Sequence, residues 1–236
     1  MASLYLNPAL DSADAGSAVS ITGDEAKHAV TVARTRVGER LSIGNGRGLV
    51  VGGVVTNLDP FTIEVDSARR EPAPDPQLWL VQALAKGDRD ELAVQAATEL
   101  GVSGVIPWAA ERSVTRWEGA KLEKGRTRWE AIVREASKQS IRAWVPEVGA
   151  LVGVRQLSGT VLVLDPTADA ALSTVELPST GRISLVVGPE GGISPRELEL
   201  LEQAGATRVR LGSEILRTST AGPAAIAVLN ARLGRW

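Results

Sequence analysis

The chain has 236 residues, 44% hydrophobic and 23% charged, with a formal net charge of -2. These values are typical of a soluble globular protein with one or two domains, and they give no strong overall attraction to nucleic acid. The sequence has no cysteine and a single histidine, His28, which excludes disulfides and argues against a protein-bound transition metal. No apolar run reaches membrane-spanning length, so we expect a cytoplasmic protein without membrane association.

The N-terminal part of the chain has the pattern of a β-rich domain, which we place at residues 1–71. Short apolar runs separated by turn residues predict strands at Val19–Ile21, Arg40–Ile43, Leu49–Thr56 and Phe61–Val65. A short helix is predicted over Asp24–Arg34. Three closely spaced prolines follow and predict an extended linker at residues 72–77.

Residues 78–236 change to alternating strands and helices, which favours an α/β domain with a mainly parallel sheet. Continuous apolar runs, typical of strands buried on both faces, predict strands at Leu78–Leu84, Gly104–Trp108, Val161–Leu164, Ile183–Val187 and Val209–Leu211. Helical periodicity and cap signals predict helices at Asp88–Leu100, Thr127–Ile141, Ser194–Gly205 and Thr220–Leu233. Asp88 with Glu91 resembles a capping box, and so does Ser194 with Glu197.

Three of these strands end in unusual loops, and ligands of open α/β sheets bind beyond the carboxyl ends of strands. The loops are Asp165–Pro166, Gly188–Gly192 and Gly212–Thr218. Glycines let a ligand approach the backbone, but they equally serve a tight turn, and the residues alone leave both interpretations open. The common phosphate-binding loops are absent from the sequence, which removes the simplest support for nucleotide hydrolysis or hydride transfer.

The segment Arg112–Arg142 is locally basic, with nine Lys and Arg residues against four Glu. Such a patch can meet phosphates even in a chain of negative net charge. Taken alone, a solvated amphipathic helix is the favoured interpretation.

Two segments together resemble the RsmE family of 16S rRNA uridine N3-methyltransferases in the SPOUT superfamily. Residues 187–194 read Val-Gly-Pro-Glu-Gly-Gly-Ile-Ser, and residues 211–221 read Leu-Gly-Ser-Glu-Ile-Leu-Arg-Thr-Ser-Thr-Ala. Shorter similarities extend over most of the chain, at Thr98–Val102, Glu111–Ser113, Arg128–Trp129 and Glu135–Arg142. The sequence departs from the family pattern at Glu214, where many relatives have Arg, and at Ser219, where many have Glu.

The resemblance implies an S-adenosyl-L-methionine-dependent enzyme that methylates N3 of the uridine at position 1498 of 16S rRNA in the 30S subunit. It also implies a PUA-like β-barrel at residues 1–71, a SPOUT domain with a deep trefoil knot at residues 78–236, and a homodimer. Methyl transfer from a sulfonium needs no metal, which agrees with the scarcity of metal ligands in the sequence.

The resemblance assigns roles to particular residues. The cofactor site is expected to contain Leu164, Gly188, Pro189, Gly191, Gly192, Leu211, Gly212, Leu216, Thr218 and Ala221. Arg217 is the catalytic candidate for stabilising the uridine N3 anion, with a helix-supporting salt bridge as the alternative. Glu190 is a candidate base, although hydrogen bonding to nearby backbone N–H groups is the favoured role. RNA contacts are expected from Arg34, Arg36, Arg112, Arg128, Gln139 and Arg142. The dimer interface is the alternative for Arg112, Arg128 and Arg142, and an unpaired surface role is the alternative for Arg34 and Arg36.

Two alternatives remain beside this interpretation. One is a SPOUT methyltransferase that acts on another RNA nucleotide. The other is a non-catalytic RNA-binding or ribosome-assembly module with a SPOUT fold.

Overall fold

The computed structural model describes residues 4–157 and 159–236; residues 1–3 and 158, which the predicted domain ranges include, lie outside the described residues. The chain forms two compact units. The first comprises the described residues up to Ala73 together with Ser137–Val145, and the second comprises Pro74–Ala136 with Pro146–Trp236. None of the described helices is long and apolar enough to cross a membrane.

The first unit is a five-stranded sheet in the order β1-β3-β4-β5-β2. Its strands are β1 Leu4–Leu6, β2 Ala18–Ser20, β3 Arg40–Gly44, β4 Leu49–Leu58 and β5 Phe61–Arg70. The pairings are antiparallel except for β1 with β3. Alternate residues of β4 and β5 point inward, and Ile43, Val51, Phe61 and Ile63 are all at most 1% exposed. The predicted strands of this region are therefore confirmed, whereas β1 was missed.

The predicted helix Asp24–Arg34 is shorter and less regular than expected. An α-helix, α1, covers Gly23–Lys27, and a π-helical turn continues it over His28–Val32. Arg34 has a φ of 55°, in the left-handed region, which ends the helical path before that residue. His28 is exposed rather than buried, although its ring lies 6.1 Å from that of Tyr5.

The segment Ser137–Val145 packs in the first unit, although the predicted domain ranges place it in the second. Ala143 belongs to a small apolar cluster with Leu4 and Val50, and its carbonyl accepts a hydrogen bond from Gly48 N–H at 2.9 Å. A Cβ at Gly48 would lie 2.9 Å from the Trp144 indole, and its φ is +96°, so only glycine fits this close approach. Contacts between such distant chain positions leave no periodic signal in the sequence.

The second unit is a six-stranded, wholly parallel sheet in the order β11-β9-β10-β6-β7-β8. The strands are β6 Gln77–Ala83, β7 Gly104–Trp108, β8 Glu147–Val148, β9 Thr160–Leu164, β10 Arg182–Val187 and β11 Thr207–Val209. The helices are α2 Arg89–Glu99, α3 Ala120–Gln139, which ends in the first unit, α4 Pro195–Gln203 and α5 Thr218–Arg232. The α/β prediction is confirmed. The two-residue strand β8 and a short 3-10 helix, Val154–Gln156, were missed, and α3 begins at Ala120 rather than at the predicted Thr127. The deep knot remains a prediction.

The two predicted capping boxes have different outcomes. At α4, Ser194 Oγ accepts from Glu197 N–H at 3.2 Å and Glu197 Oε2 accepts from Ser194 N–H at 3.1 Å, as predicted. At α2 the prediction is wrong, because Asp88 makes no side-chain cap and has a φ of 58°. The buried Asp90 instead accepts from Ala85 N–H at 3.2 Å, and burial raises the pKa of its carboxyl.

The sheet of the second unit leaves no space for a side chain at Gly104. A Cβ at this position would lie 2.4 Å from the indole of Trp79, its partner on the neighbouring strand. We therefore expect Gly104→Ala to lower the free energy of unfolding by about 1–3 kcal/mol, because the indole is only 8% exposed and has little room to move. Urea unfolding would measure the change.

Gly153→Ala is the matched control, because its Cβ would meet only the Gln156 side chain, at 3.8 Å. We expect a change within about 0.5 kcal/mol for this variant. Equal stability of the two variants would contradict the tight packing at Gly104.

Candidate functional site

A cavity of about 640 Å³ opens at the carboxyl ends of β9 and β10, beside the start of α5. Its size is typical of small-molecule sites. Three loops form its walls, and these are the loops that the sequence singled out. The lining residues are Arg89, Leu164, Asp165, Pro166, Thr167, Val187, Gly188, Pro189, Glu190, Gly192, Ile193, Leu198, Leu211, Gly212, Glu214, Ile215, Leu216, Arg217, Thr218 and Ala221.

The first wall is the glycine-rich loop between β10 and α4. Gly192 N–H donates to Pro189 O at 2.9 Å, and Gly192 has a φ of +71°, so the loop closes as a tight turn. A Cβ at Gly188 would lie 2.7 Å from Ile193 Cγ1, and the loop therefore requires glycine there. Pro189, Glu190 and Ile193 of this segment also line the cavity.

The second wall is the segment before α5. Within the part of the chain that the structure describes, the backbone N–H groups of Gly212, Ile215 and Leu216 have no hydrogen-bond partner. Ile215 is 83% exposed. Thr218 opens α5, and its hydroxyl donates to Gly188 O at 2.8 Å, which joins this wall to the first. The wall thus presents unpaired donors beside aliphatic side chains.

The third wall follows β9 and contains a buried carboxylate. Asp165 Oδ1 accepts from the Thr167 backbone N–H and hydroxyl, and Asp165 Oδ2 accepts from Arg208 Nε at 2.7 Å. Burial alone raises the pKa of Asp165, but these hydrogen bonds outweigh it and hold the pKa below the ordinary value. The carboxylate is therefore ionised at neutral pH and fixes the shape of this wall.

The structure brings together all of the predicted cofactor-site residues except Gly191. The Gly191 carbonyl accepts from Arg112 Nη1 at 3.0 Å, and a Cβ on Gly191 would lie 3.2 Å from Arg112 Cβ. Gly191 thus faces the loop after β7 rather than the cavity. Its contact with Arg112 holds the glycine-rich loop from behind.

The two catalytic candidates, Arg217 and Glu190, both line the cavity, but they differ in their hydrogen-bond and ion-pair partners. Arg217 is exposed, and within residues 4–157 and 159–236 no carboxylate forms an ion pair with it, so the alternative salt bridge is absent there. Glu190 is paired: its Oε1 accepts from Lys86 N–H at 3.1 Å and from Arg89 Nη1 at 3.2 Å. This is the backbone-binding role that the sequence favoured for Glu190. Arg89 also lines the cavity, although it was not among the predicted site residues.

The predicted RNA-contact residues are distributed over both units. In the first unit Arg34, Arg36 and Gln139 are exposed, whereas burial lowers the pKa of Arg142 to about 10. In the second unit Arg128 donates two hydrogen bonds to Glu91 Oε2, at 3.0 and 2.9 Å, while its side chain remains 61% exposed.

A metal site is not apparent in the described residues, where no group of three or more His, Asp and Glu side chains is placed to hold an ion. Trp129 is 1% exposed and packs edge-on against Trp117, with ring centroids 5.3 Å apart. It is a core residue and not a stacking surface for a base.

Family models match both parts of the chain. An RNA methyltransferase domain matches residues 71–230, and an RNA methyltransferase PUA domain matches residues 21–66. The chain is 40% identical over 235 residues to ribosomal RNA small subunit methyltransferase E of Mycobacterium bovis, covering 94% of this chain and 90% of the relative. It is 32% identical to the protein of the same name from Bacillus subtilis, over 86% and 85% of the two chains.

A solved structure agrees with these matches. The structure of a ribosomal RNA small subunit methyltransferase E from Neisseria gonorrhoeae, bound to S-adenosyl methionine, aligns with a TM-score of 0.86 and 27% identity over 98% of each chain. The chain therefore belongs to the ribosomal RNA small subunit methyltransferase E family, with an RNA methyltransferase domain preceded by a PUA domain.

Proposed function

We propose that this protein transfers the methyl group of S-adenosyl-L-methionine to N3 of the uridine at position 1498 of 16S rRNA, within the 30S subunit. The observation that carries the proposal is the cavity at the ends of β9 and β10, with unpaired backbone donors and aliphatic side chains in its walls. The names of the relatives and the S-adenosyl methionine in the Neisseria gonorrhoeae structure support the substrate and the cofactor. The choice of uridine N3 rests on the resemblance of residues 187–194 and 211–221.

The cavity fits this cofactor in size and in chemistry. The unpaired N–H groups of Gly212, Ile215 and Leu216 match the ring-nitrogen acceptors of an adenine, and Leu164 and Leu216 offer aliphatic surface to its faces. The cofactor-binding residues on this proposal are Leu164, Gly188, Pro189, Gly192, Leu211, Gly212, Leu216, Thr218 and Ala221. Gly191 acts behind the wall, through its contact with Arg112.

The bound sulfonium supplies an activated methyl group, and the protein holds the reacting groups in line. Uridine N3 carries a proton and becomes nucleophilic when that proton leaves. The resulting negative charge spreads onto O2 and O4, and an unpaired guanidinium stabilises it. Arg217 meets this requirement because it lines the cavity and its charge is not neutralised by an ion pair in the described residues.

Glu190 serves a different purpose on this proposal. Its carboxylate is bound to Lys86 N–H and to Arg89, so its position is fixed. It joins the glycine-rich loop to the start of α2. Removal of the N3 proton by Glu190 would require these hydrogen bonds to open first.

The remaining elements of the proposal concern RNA and assembly. RNA contacts are proposed for Arg34, Arg36, Gln139 and Arg142 in the first unit and, separately, for Arg112 and Arg128 in the second. A homodimer, a deep knot and a cytoplasmic location complete the proposal, with domains at residues 1–71 and 78–236. The exposed apolar side chains of Ile215 and Leu216 favour a partner surface beside the cavity.

The proposal is tested with purified protein, labelled S-adenosyl-L-methionine and small ribosomal subunits that lack the native uridine methylation. Mass spectrometry then maps the methylated nucleotide. N3-methyluridine at one decoding-region position is expected. Label on another nucleotide would keep the enzyme class and overturn the target, and RNA binding without cofactor binding would indicate a non-catalytic module.

The cavity wall is tested with Gly212→Val. A Cβ at Gly212 would meet only Glu214 Oε2, at 3.7 Å, so the added carbons enter open space at the cavity. We expect the dissociation constant for S-adenosyl-L-methionine to rise at least about tenfold, a loss of about 1.4 kcal/mol, with little change in unfolding. Calorimetry measures the affinity, and Gly153→Val, a glycine outside the cavity lining, is the control. Unchanged affinity in Gly212→Val would displace the proposed site.

The charge of Arg217 is tested with Arg217→Ala. We expect the turnover number to fall by about a hundredfold or more, about 2.7 kcal/mol, because a stabilising cation is lost from the transition state. The dissociation constant for the cofactor should change less than about twofold. Arg196→Ala is the matched control, since Arg196 is also exposed at a helix start and does not line the cavity. Equal turnover in the two variants would remove Arg217 from the mechanism.

A further inference from the structure

A buried glutamine lies behind the cavity, near the end of a strand that is apolar from Leu78 to Val81. Gln82, on β6, is 0% exposed. Its Nε2 donates to Ala83 O at 3.0 Å and to Thr218 Oγ1 at 2.8 Å. Its Oε1 has no hydrogen-bond partner among the described residues. Burial of a polar side chain costs free energy, and the two hydrogen bonds that Gln82 donates offset part of this cost.

The hydrogen bonds of this group run in one direction. The Gln82 nitrogen faces the Ala83 carbonyl, which accepts only, so the amide orientation is determined. Thr218 Oγ1 must therefore accept from Gln82. The single hydroxyl proton of Thr218 is then left for Gly188 O, 2.8 Å away. Gln82, Thr218 and Gly188 form a relay from the sheet to two walls of the cavity.

We propose that Gln82 is a positioning residue that, through the Thr218 hydroxyl, sets the Gly188 carbonyl and so the spacing of two cavity walls. The inference rests on the proposed function, because the bound molecule is taken to be S-adenosyl-L-methionine. Gln82 touches neither cofactor nor RNA in this role. It acts on the cavity-lining residues Gly188 and Thr218.

Strand pairing alone does not supply this constraint. The ladder between β6 and β10 ends with Val187 opposite Gln82, so the next residue, Gly188, lies beyond the paired strands. Thr218 lies at the first turn of α5, where backbone N–H groups have no helical partner. The relay therefore connects Gly188 and the start of α5 to Gln82, which belongs to the last residue pair between β6 and β10.

The experiment uses the full chain and compares four variants. Thr218→Val removes the hydroxyl and keeps the shape, whereas Thr218→Ser keeps the hydroxyl. Gln82→Met removes the donor. Asn230→Leu is the matched control, because Asn230 is a buried amide on α5, the helix that begins with Thr218. Its Nδ2 donates to Leu100 O at 2.7 Å, and Asn230 does not line the cavity.

Two readouts are measured, the dissociation constant for S-adenosyl-L-methionine and the amide hydrogen exchange of residues 186–193. For Thr218→Val and Gln82→Met we expect about tenfold weaker binding and faster exchange in this loop. Thr218→Ser keeps the hydroxyl and should show wild-type exchange in this loop. Asn230→Leu should lower the urea midpoint and leave binding and loop exchange unchanged.

The outcomes separate this inference from the proposed function. Unchanged binding and exchange in Thr218→Val, or equal losses in Asn230→Leu, would overturn the relay. If the wild-type protein binds no S-adenosyl-L-methionine, the proposed function fails. The relay is then decided by loop exchange alone: faster exchange in Thr218→Val and Gln82→Met but not in Asn230→Leu supports it, and any other pattern overturns it.

Discussion

The parallel pairing of β6, β10 and β9 is the constraint on which the site of this protein depends. Parallel strands end at the same edge of a sheet, so the loops that follow them meet there whatever their distance in sequence. β10 lies at the centre with its inner residues at most 2% exposed, and the hydrophobic effect thereby holds the three strand ends in place. The glycine-rich loop and the residues after Leu164 are brought to one cavity as a consequence.

Around this cavity the protein relies on polar contacts of defined direction rather than on side-chain bulk. Asp165 is held by Thr167 and Arg208, Glu190 by Lys86 and Arg89, and Gly191 by Arg112. Each of these contacts fixes a loop at the cavity, and the backbone N–H groups of Gly212, Ile215 and Leu216 have no hydrogen-bond partner among the described residues. Gly188 is confined to glycine by its packing, because a Cβ there would lie 2.7 Å from Ile193 Cγ1.

Charge is divided between the cavity and the outer surface. Arg217 is unpaired among the described residues and faces the cavity, whereas Arg128 is neutralised in part by Glu91. An exposed ion pair of this type contributes little to stability, and on the proposed function Arg128 exchanges the carboxylate for an RNA phosphate. A chain with a net charge of -2 can thus still meet a polyanion through local groups.

Sequence by itself determined the elements whose cause is local: the buried strands from continuous apolar runs, the start of α4 from Ser194 and Glu197, and the two paired motifs that carry the family resemblance. The sequence also contains a polar residue, Gln82, within the apolar strand predicted at Leu78–Leu84, and no role was predicted for it. Only the tertiary structure decided that Gly191 faces Arg112, that Arg89 lines the cavity and that Ser137–Val145 packs with the first unit. These features depend on contacts between distant chain positions, and hydrophobic periodicity reports which face of an element is buried without naming the partner that buries it.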